Sequence, residues 1–347
     1  MLIALLVVTL GACVVAAPSD DPVPAESATS DAPAVRIGVG PEQESVLLGA
    51  VMAQLISDDG FTPEVVDLAD ADAVRQALEV GDVDVAPGYT GQTWLEELGR
   101  ENPPGDPRTS FQGVSSADES NGIVWLRPGF DLEAGVGGPP ADATLALWVT
   151  PSVAIEAPSI AELGAALAET PDAEVCLDAA FGERTDGWTA LSQRYSIGPT
   201  VLVEATPTEA IAGVAAGQCL VGLSTLTDGR AWAAGLVPLA DPLDVFPAFV
   251  VSVQVRDEAL ARRPGLDTAL QPLADNLTSS MLGALNARVV AGEALDLVAM
   301  VGVTQLTAPP SSGSTPSPSA VGTPTEAATA GPGNETESEP AMAPGSG

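Results

Sequence analysis

The sequence predicts an α/β protein with two lobes, each a mainly parallel sheet flanked by helices, and a cleft between the lobes. Two observations predict this class. From Ala34 onward, short β-branched runs alternate with segments of helical periodicity, and the same alternation restarts near residue 174. Strands that alternate with helices form parallel sheets with right-handed crossovers. Two further apolar runs connect the units, so the chain crosses between lobes twice and the hinge has two strands.

The first unit begins with "AVRIGVG" (34–40), a β-branched run ended by glycine, which predicts a strand. The next segment predicts a helix, because its apolar residues recur at helical spacing: Val46, Leu47, Val51, Leu55 and Ile56. After it, "FTPEVVDL" predicts a strand, "DADAVRQALEVGD" a helix closed by Gly81, and "VDVAP" a third strand.

The second unit repeats this pattern. Its predicted strands are "AEVCLDAA", "TVLVEATP", "QCLVGLS" and "LVPLA", and "RTDGWTALSQRY" predicts a helix between the first two. A further helix begins at Thr206, where Pro207 occupies the first helical position and Glu209 completes a capping box. The runs "ADATLALWVT" and "DVFPAFVVSVQV" connect the units, and residues 257–307 predict three or four helices.

Composition excludes several classes of function. The chain of 347 residues contains 47 acidic residues, 12 basic residues and no histidine, and its formal net charge is -35. Such a surface repels nucleic acid and anionic lipid, and the charge is typical of compositional bias towards solubility rather than of selection for a cationic ligand. Without histidine, serine-histidine triads and histidine-type metal sites are excluded. No Gly-x-Ser-x-Gly, CxxC or P-loop occurs, so we predict no enzyme, no cofactor and no metal.

Both ends of the chain differ from the folded part. The run "MLIALLVVTLGAC" (1–13) is too short to span a bilayer and predicts an export signal. Its last four residues, Leu10 to Cys13, look like a lipobox that leaves Cys13 carrying a lipid anchor; the alternative is an ordinary signal cleaved near "VVAAP". Residues 14–33 predict a flexible tether and residues 308–347 a disordered tail, because neither composition can build a core.

The two remaining cysteines allow two interpretations. Cys176 and Cys219 each lie in an apolar, strand-like run, and an exported chain folds in an oxidising compartment. The pair predicts either a disulfide between neighbouring strands or two buried free thiols.

Six stretches, in one order, resemble a known family: "RIGVGPEQESVLLGAVMAQL", "ALEVGDVDVAPGYTGQ", "AAFGERTDGWTALSQRYSI", "STLTDGR", "VFPAF" and "LNARVV". They are similar to the substrate-binding proteins of osmoprotectant ABC importers, which bind glycine betaine, choline, carnitine or proline betaine. The resemblance covers 34–307 and implies a two-lobed periplasmic-binding-protein fold of type II. Lobe 1 would comprise 34–143 and 246–307, and lobe 2 would comprise 144–245.

The motif "DVAPGYTGQTW" contains one of only two tyrosines, at the junction of a predicted strand and helix. Ligands of parallel sheets bind beyond the carboxyl ends of the strands. The resemblance implies that Tyr89 forms a wall for a quaternary ammonium group, while Thr90 and Gln92 line the adjacent helix start. An exposed turn tyrosine is the alternative interpretation of the motif.

The family surrounds the ammonium head with four aromatic rings, each contributing roughly 0.5 to 2 kcal/mol through cation-π attraction. By the resemblance, Phe249 replaces one tyrosine of this cage, whereas Thr225 and Leu145 replace two others. Tyr89 and Phe249 would then grip the solute from facing halves. Trp188 and Trp148 are possible substitutes for the missing rings, although core packing is the commoner role of a large aromatic residue.

The resemblance also assigns charged positions. Arg184 matches an arginine that grips the carboxylate of the solute, and an ion pair with Glu183 or Asp186 is the alternative. Gly40 stands where the family often has a lysine. Glu44 matches the family pattern, although an acidic residue in the first turn of a helix is stabilised by the helix dipole without any ligand.

Two other matching positions have structural interpretations: Asp228 as a helix N-cap and Tyr195 as a packing residue. Taken together, the sequence predicts an extracytoplasmic, lipid-anchored protein. It would deliver a small zwitterionic or quaternary-ammonium osmoprotectant to the permease of an ABC importer by lobe closure. The alternative is a ligand sensor or surface scaffold of the same fold with a degenerate pocket.

Overall fold

The computed structural model describes residues 34–130, 139–170, 172–184 and 187–308. The export signal with Cys13, the tether 14–33 and the tail from 309 onward lie outside these described residues. Within the described part of the chain, no helix combines the length and the apolarity that a membrane crossing requires.

Ten strands are described, in chain order: β1 (Val35–Val39), β2 (Pro63–Asp67), β3 (Val85–Tyr89), β4 (Ile123–Trp125), β5 (Leu145–Val149), β6 (Glu174–Leu177), β7 (Val201–Glu204), β8 (Val221–Thr225), β9 (Val237–Pro238) and β10 (Val251–Arg256). They form two five-stranded sheets, with the orders β2-β1-β3-β10-β4 and β7-β6-β8-β5-β9. We call the first sheet with its helices the first lobe, and the other the second lobe.

The helices between the strands are α1 (Gln43–Asp58), α2 (Ala71–Val80), α3 (Thr90–Gln92) continued by a π-helical turn (Thr93–Glu97), α4 (Pro107–Asp118), α5 (Pro151–Glu156), α6 (Ile160–Glu169), α7 (Ala179–Glu183), α8 (Trp188–Arg194), α9 (Pro207–Ala215) and α10 (Gly229–Ala233). Four more follow β10: α11 (Asp257–Arg262), α12 (Leu266–Asn276), α13 (Ser279–Val290) and α14 (Leu295–Leu306). The two-lobed α/β class is therefore confirmed.

Each sheet is mixed, because one strand runs against its neighbours. β10 is antiparallel to β3 and to β4, and β5 is antiparallel to β8 and to β9, whereas the remaining pairs are parallel. Both reversed strands follow a crossing of the hinge. A strand that enters its lobe from the hinge starts at the edge where the parallel strands end, and it therefore points the opposite way.

Local signals explain where several helices begin and end. The Asp70 side chain caps α2 by accepting a hydrogen bond from the backbone N–H of Ala73 at 2.8 Å, and Gly81 ends the helix at φ +87°. At α9, Thr206 and Glu209 form the reciprocal capping box that the sequence predicts. Asp228 is the N-cap of α10, which confirms that interpretation.

The central strands of each sheet pack on both faces, and their alternating side chains contribute to two different apolar clusters. In β5, Leu147 and Val149 face one apolar cluster of the second lobe, whereas Ala146 and Trp148 face the other. The second cluster also contains Cys176 in β6 and Cys219 just before β8, and the structure joins these two cysteines in a disulfide.

Candidate functional site

A cavity of about 700 Å³ lies where the edges of the two sheets meet. The first lobe contributes Gly40, Glu44 and Tyr89 to its wall, and the second lobe contributes Thr225, Thr227 and Arg230. The volume lies within the range of roughly 300 to 1,000 Å³ that is usual for small-molecule sites. Both lobes therefore line one space that is large enough for a small organic solute.

Strand register brings the predicted cage positions to this cavity. Tyr89 ends β3 and pairs with Val251 at the start of β10, so Phe249 lies two residues before that pair. In the second sheet, Leu145 at the start of β5 pairs with Thr225 at the end of β8. All four cage positions line the cavity.

Tyr89 is half-buried, and its hydroxyl donates a hydrogen bond to Oε1 of Glu44 at 3.0 Å. Burial raises the pKa of the Tyr89 hydroxyl well above its usual value, and the negative charge of Glu44 raises it further. The hydroxyl is therefore a protonated donor, and this bond holds the tyrosine ring at the cavity wall.

Phe249 lies flat against Gly91. A Cβ atom built on Gly91 would come within 2.4 Å of Cδ2, 2.5 Å of Cε2 and 2.6 Å of Cγ of the Phe249 ring. Only glycine leaves room for the ring there, which explains the second glycine of the "PGYTG" motif. Because β3 and β10 are neighbours in one sheet, Tyr89 and Phe249 lie on the same side of the cleft. The expectation that they face each other from opposite halves is wrong.

Of the two residues after Tyr89 that were expected to line the site, one lines the cavity and the other is buried behind it. Gln92 lines the cavity, and its amide donates to Glu96 Oε2 at 2.9 Å. Thr90 is fully buried and is not part of the cavity wall. Its hydroxyl accepts hydrogen bonds from the backbone N–H of Val250 at 3.0 Å and from Ser110 Oγ at 2.8 Å. Thr90 thus ties the helix start to the returning hinge segment, and the geometry does not support ligand contact by it.

The tryptophans considered as substitute rings lie in the core. Trp188, the first residue of α8, is 5 % exposed and packs in the apolar cluster of the second lobe. Trp148 is fully buried, and its ring packs edge-on against Trp232. Strict alternation in β5 places it on the face opposite Leu145, as the sequence predicts. Tyr195 is also a core residue, and its hydroxyl donates to Asp241. Among the described residues that line the cavity, the aromatic side chains are Tyr89 and Phe249.

Arg184 does not lie at the cavity. It is an exposed residue that directly follows α7, and it is not among the described lining residues. The arginines among the described lining residues are Arg75 and Arg230, which sequence reasoning did not select. Both form ion pairs with neighbouring aspartates, Asp118 and Asp228, at 2.7 and 2.6 Å.

Glu44, in the first turn of α1, accepts hydrogen bonds at both of its carboxylate oxygens. Besides Tyr89, it accepts a bond from Asn286 Nδ2 at 2.7 Å, and the same nitrogen donates to the backbone carbonyl of Thr227 at 3.0 Å. Burial raises the pKa of Glu44, against the lowering effect of the bonds from Thr227, Tyr89 and Asn286, and the charge of Asp228 raises it further. Asn286 thereby links Glu44 of the first lobe to Thr227 of the second lobe.

The hinge consists of two chain segments that are hydrogen-bonded to each other. Asp142 Oδ1 accepts bonds from the backbone N–H of Phe249 at 2.7 Å and of Thr144 at 3.0 Å, and the Thr144 hydroxyl donates to the carbonyl of Pro247 at 2.6 Å. Burial raises the pKa of Asp142 to about 6, although both backbone bonds lower it. Asp142 was missed by sequence reasoning; its position two residues before Thr144 is the Asx-turn signal that could have indicated it.

Two α/β lobes joined by a double hinge around a solute-sized cavity define a solute-binding protein, in which the lobes close on a ligand. The family model described as the substrate-binding domain of an ABC-type glycine betaine transport system matches residues 33–300. The chain belongs to this family and is a substrate-binding protein of an ABC transport system. The family is one of extracytoplasmic transport proteins and is not an enzyme family.

Two named relatives and one solved structure agree with this assignment. The chain is 29% identical over 274 residues to the glycine betaine-binding protein YehZ of Escherichia coli, covering 76% of this chain and 86% of the relative. It is 28% identical over 282 residues to a glycine-betaine-binding protein of Pseudomonas aeruginosa, covering 75% and 83%. The structure of apo YehZ from Escherichia coli superposes with a TM-score of 0.70 at 26% identity, over 79% of this chain and 99% of that one.

Proposed function

We propose that the cavity binds a small solute with a quaternary-ammonium head group, zwitterionic or cationic, and that lobe closure presents this solute to the permease of an ABC importer. The observation that carries the proposal is the pair of rings, Tyr89 and Phe249, side by side on the cavity wall. The names of the two relatives, both glycine betaine-binding proteins, support the same chemistry.

The two rings set the strength of binding. A cation over an aromatic face gains roughly 0.5 to 2 kcal/mol for each ring, so two rings supply about 1 to 4 kcal/mol. Leu145 and Thr225 complete the second-lobe wall without aromatic faces. We therefore expect weaker binding than a four-ring cage provides, unless the closed form adds contacts.

Closure follows from a ligand that touches both lobes. Tyr89, Phe249 and Gln92 would contact the solute from the first-lobe side, and Leu145 and Thr225 from the second. Such a ligand binds the closed arrangement better than the open one and shifts the population towards it. We propose 34–143 plus 246–307 as one lobe and 144–245 as the other, because the strands of each sheet fall within these ranges.

We also propose that Cys13 carries a lipid anchor after removal of the export signal. The support is the sequence Leu10 to Cys13, together with a family that acts outside the cytoplasm. Replacing Cys13→Ala should move the protein from the membrane fraction to the soluble fraction of the cell envelope or medium. Unchanged membrane association of that variant would contradict the anchor.

The test of ligand class is a thermal-shift panel with glycine betaine, choline, carnitine, proline betaine, ectoine and proline. A true ligand at a hundred times its dissociation constant stabilises the folded state by about 2.7 kcal/mol. Tyr89→Ala should clearly reduce the shift, because it removes one of the two rings and the bond to Glu44.

The matched control is Tyr89→Phe, which keeps the ring and loses only the hydroxyl. We expect this variant to keep most of the ligand-induced shift. An undiminished shift in Tyr89→Ala would remove Tyr89 from the site, and no shift by any quaternary-ammonium compound in the native protein would refute the proposed ligand class.

A further inference from the structure

Acidic groups dominate the charge of the cavity wall. The described lining residues include four acidic residues, Glu42, Glu44, Glu96 and Glu97. The only basic residues among them are Arg75 and Arg230. A zwitterionic solute such as glycine betaine needs a donor for its own carboxylate, and a guanidinium group is suited to that contact. The charge balance of the wall therefore depends on whether these two arginines are free or already paired.

Both arginines are paired with carboxylates of the protein. The Nη1 and Nη2 atoms of Arg75 donate to Asp118 at 2.8 and 2.7 Å, and its Nε donates to Glu79 at 2.7 Å. In Arg230, Nε and Nη2 donate to the two carboxylate oxygens of Asp228 at 2.9 and 2.6 Å, and Nη1 donates to the hydroxyl of Thr208. Each guanidinium charge is thus already compensated by a carboxylate of the protein, which weakens its attraction for the carboxylate of a solute.

Glu44, by contrast, is fixed beside the aromatic ring. Its two carboxylate oxygens accept separate bonds, from the Tyr89 hydroxyl at 3.0 Å and from Asn286 Nδ2 at 2.7 Å, and the residue lines the cavity. A carboxylate held by two donors needs no reorganisation when a cation arrives next to the Tyr89 ring. The same charge repels the carboxylate of a zwitterion.

We propose that the cavity selects an organic cation without a carboxylate, of the choline type, over a zwitterion of the betaine type, and that Glu44 is the residue that determines this specificity. The inference rests on the proposed function, since it assumes that the ligand has a quaternary-ammonium head group. It departs from the ligand in the names of the two relatives, which is glycine betaine.

Choline and glycine betaine form a matched pair of probes, because both have a trimethylammonium head and they differ in ending with a hydroxyl or a carboxylate. Isothermal titration of the native protein at pH 7.5 and low salt should give choline an affinity at least about tenfold higher than that of glycine betaine. Added salt should weaken choline binding, since the attraction between charges is screened.

The variant Glu44→Gln tests whether the charge of Glu44 determines the specificity. Glutamine keeps an acceptor for the Tyr89 hydroxyl and removes the charge, so we expect choline to bind about tenfold more weakly and glycine betaine to change little. The control is Glu169→Gln at the exposed end of α6, which removes one acidic charge away from the cavity and should leave both affinities unchanged. The thermal transition of each variant checks that it is folded.

The outcomes separate this inference from the proposed function. Glycine betaine binding as tightly as choline to the native protein would overturn the inference and leave the proposed function standing. If neither probe binds at several millimolar, both fail. A choline preference that persists undiminished in Glu44→Gln would overturn the assignment to Glu44. Loss of the choline preference in Glu44→Gln, but not in Glu169→Gln, supports the assignment. The comparison of the two probes on the native protein requires no variant to fold.

Discussion

Removing the disulfide of the second lobe should destabilise that lobe strongly. The bridge between Cys176 and Cys219 closes a loop with a sequence separation of 43 residues. In the chain-entropy model, opening a loop of this length costs about 4 kcal/mol of folding free energy at 25 °C. Both cysteines are also buried, at 2 % and 6 % exposure, so replacing them with alanine removes packing contacts as well. We therefore expect the double variant Cys176→Ala/Cys219→Ala to lose at least about 4 kcal/mol of folding free energy.

Urea denaturation measures the effect. The native protein under oxidising conditions, the native protein with reductant, and the double alanine variant should be compared at one pH and temperature. Reductant should lower the midpoint of the native protein and leave that of the variant unchanged. If the two lobes unfold in separate transitions, only the transition of the second lobe should move, because both cysteines pack in one apolar cluster of that lobe.

Two results would refute this reasoning. Alkylation of the denatured protein without prior reduction should leave Cys176 and Cys219 unmodified on peptide mapping, and labelling of both would show free thiols. A loss of less than about 1 kcal/mol in the double variant would show that the loop closure contributes little to stability, against the entropic estimate.

Two further predictions concern the hinge and the ring wall. Gly91→Ala should displace the Phe249 ring and weaken ligand binding by about 0.5 to 2 kcal/mol, the value of one cation-π contact. Titration calorimetry on the folded variant measures this loss, and an unchanged affinity would contradict the prediction. For Asp142, burial raises the folded-state pKa from 3.8 to about 6, so the stabilisation by this group is present below pH 4 and is lost as pH rises through about 6. Urea denaturation should show the native protein losing stability relative to Asp142→Asn between pH 4 and 6, with a constant difference above pH 7; parallel profiles would disprove the role of Asp142.

Much of the fold follows from local sequence signals. Three features form as predicted: the first strand and helix of the folded part, the helix ended by Gly81, and the capping box at Thr206. Each of them depends on residues that are close together in sequence. No strong periodicity marks β4, which has three residues, and sequence reasoning assigned no element there. The reversed direction of β10 depends on where the hinge segment enters the sheet, which no local pattern encodes.

The candidate site likewise combines residues that local sequence patterns predict with residues that only the packing of distant elements brings together. Tyr89 and Thr225 are found at the cavity because they end strands, and the carboxyl ends of strands meet at one edge of a sheet. Arg184 was placed at the cleft by resemblance alone, and its position depends on the path of the chain after α7. The contact between Glu44 and Asn286 joins residues 242 apart in sequence, so it becomes visible only when α1 and α13 pack together.

Phe249 contributes to two parts of the protein, the ligand wall through its ring and the hinge through its backbone. Its ring forms part of the ligand wall, while its backbone is bonded to Asp142 in the crossover between lobes. Because the hinge bond uses the backbone N–H, a side-chain substitution at residue 249 changes the wall that faces the cargo and leaves the bond to Asp142 in place. Proline is the exception, because it lacks the N–H and would remove the ring and the hinge bond together.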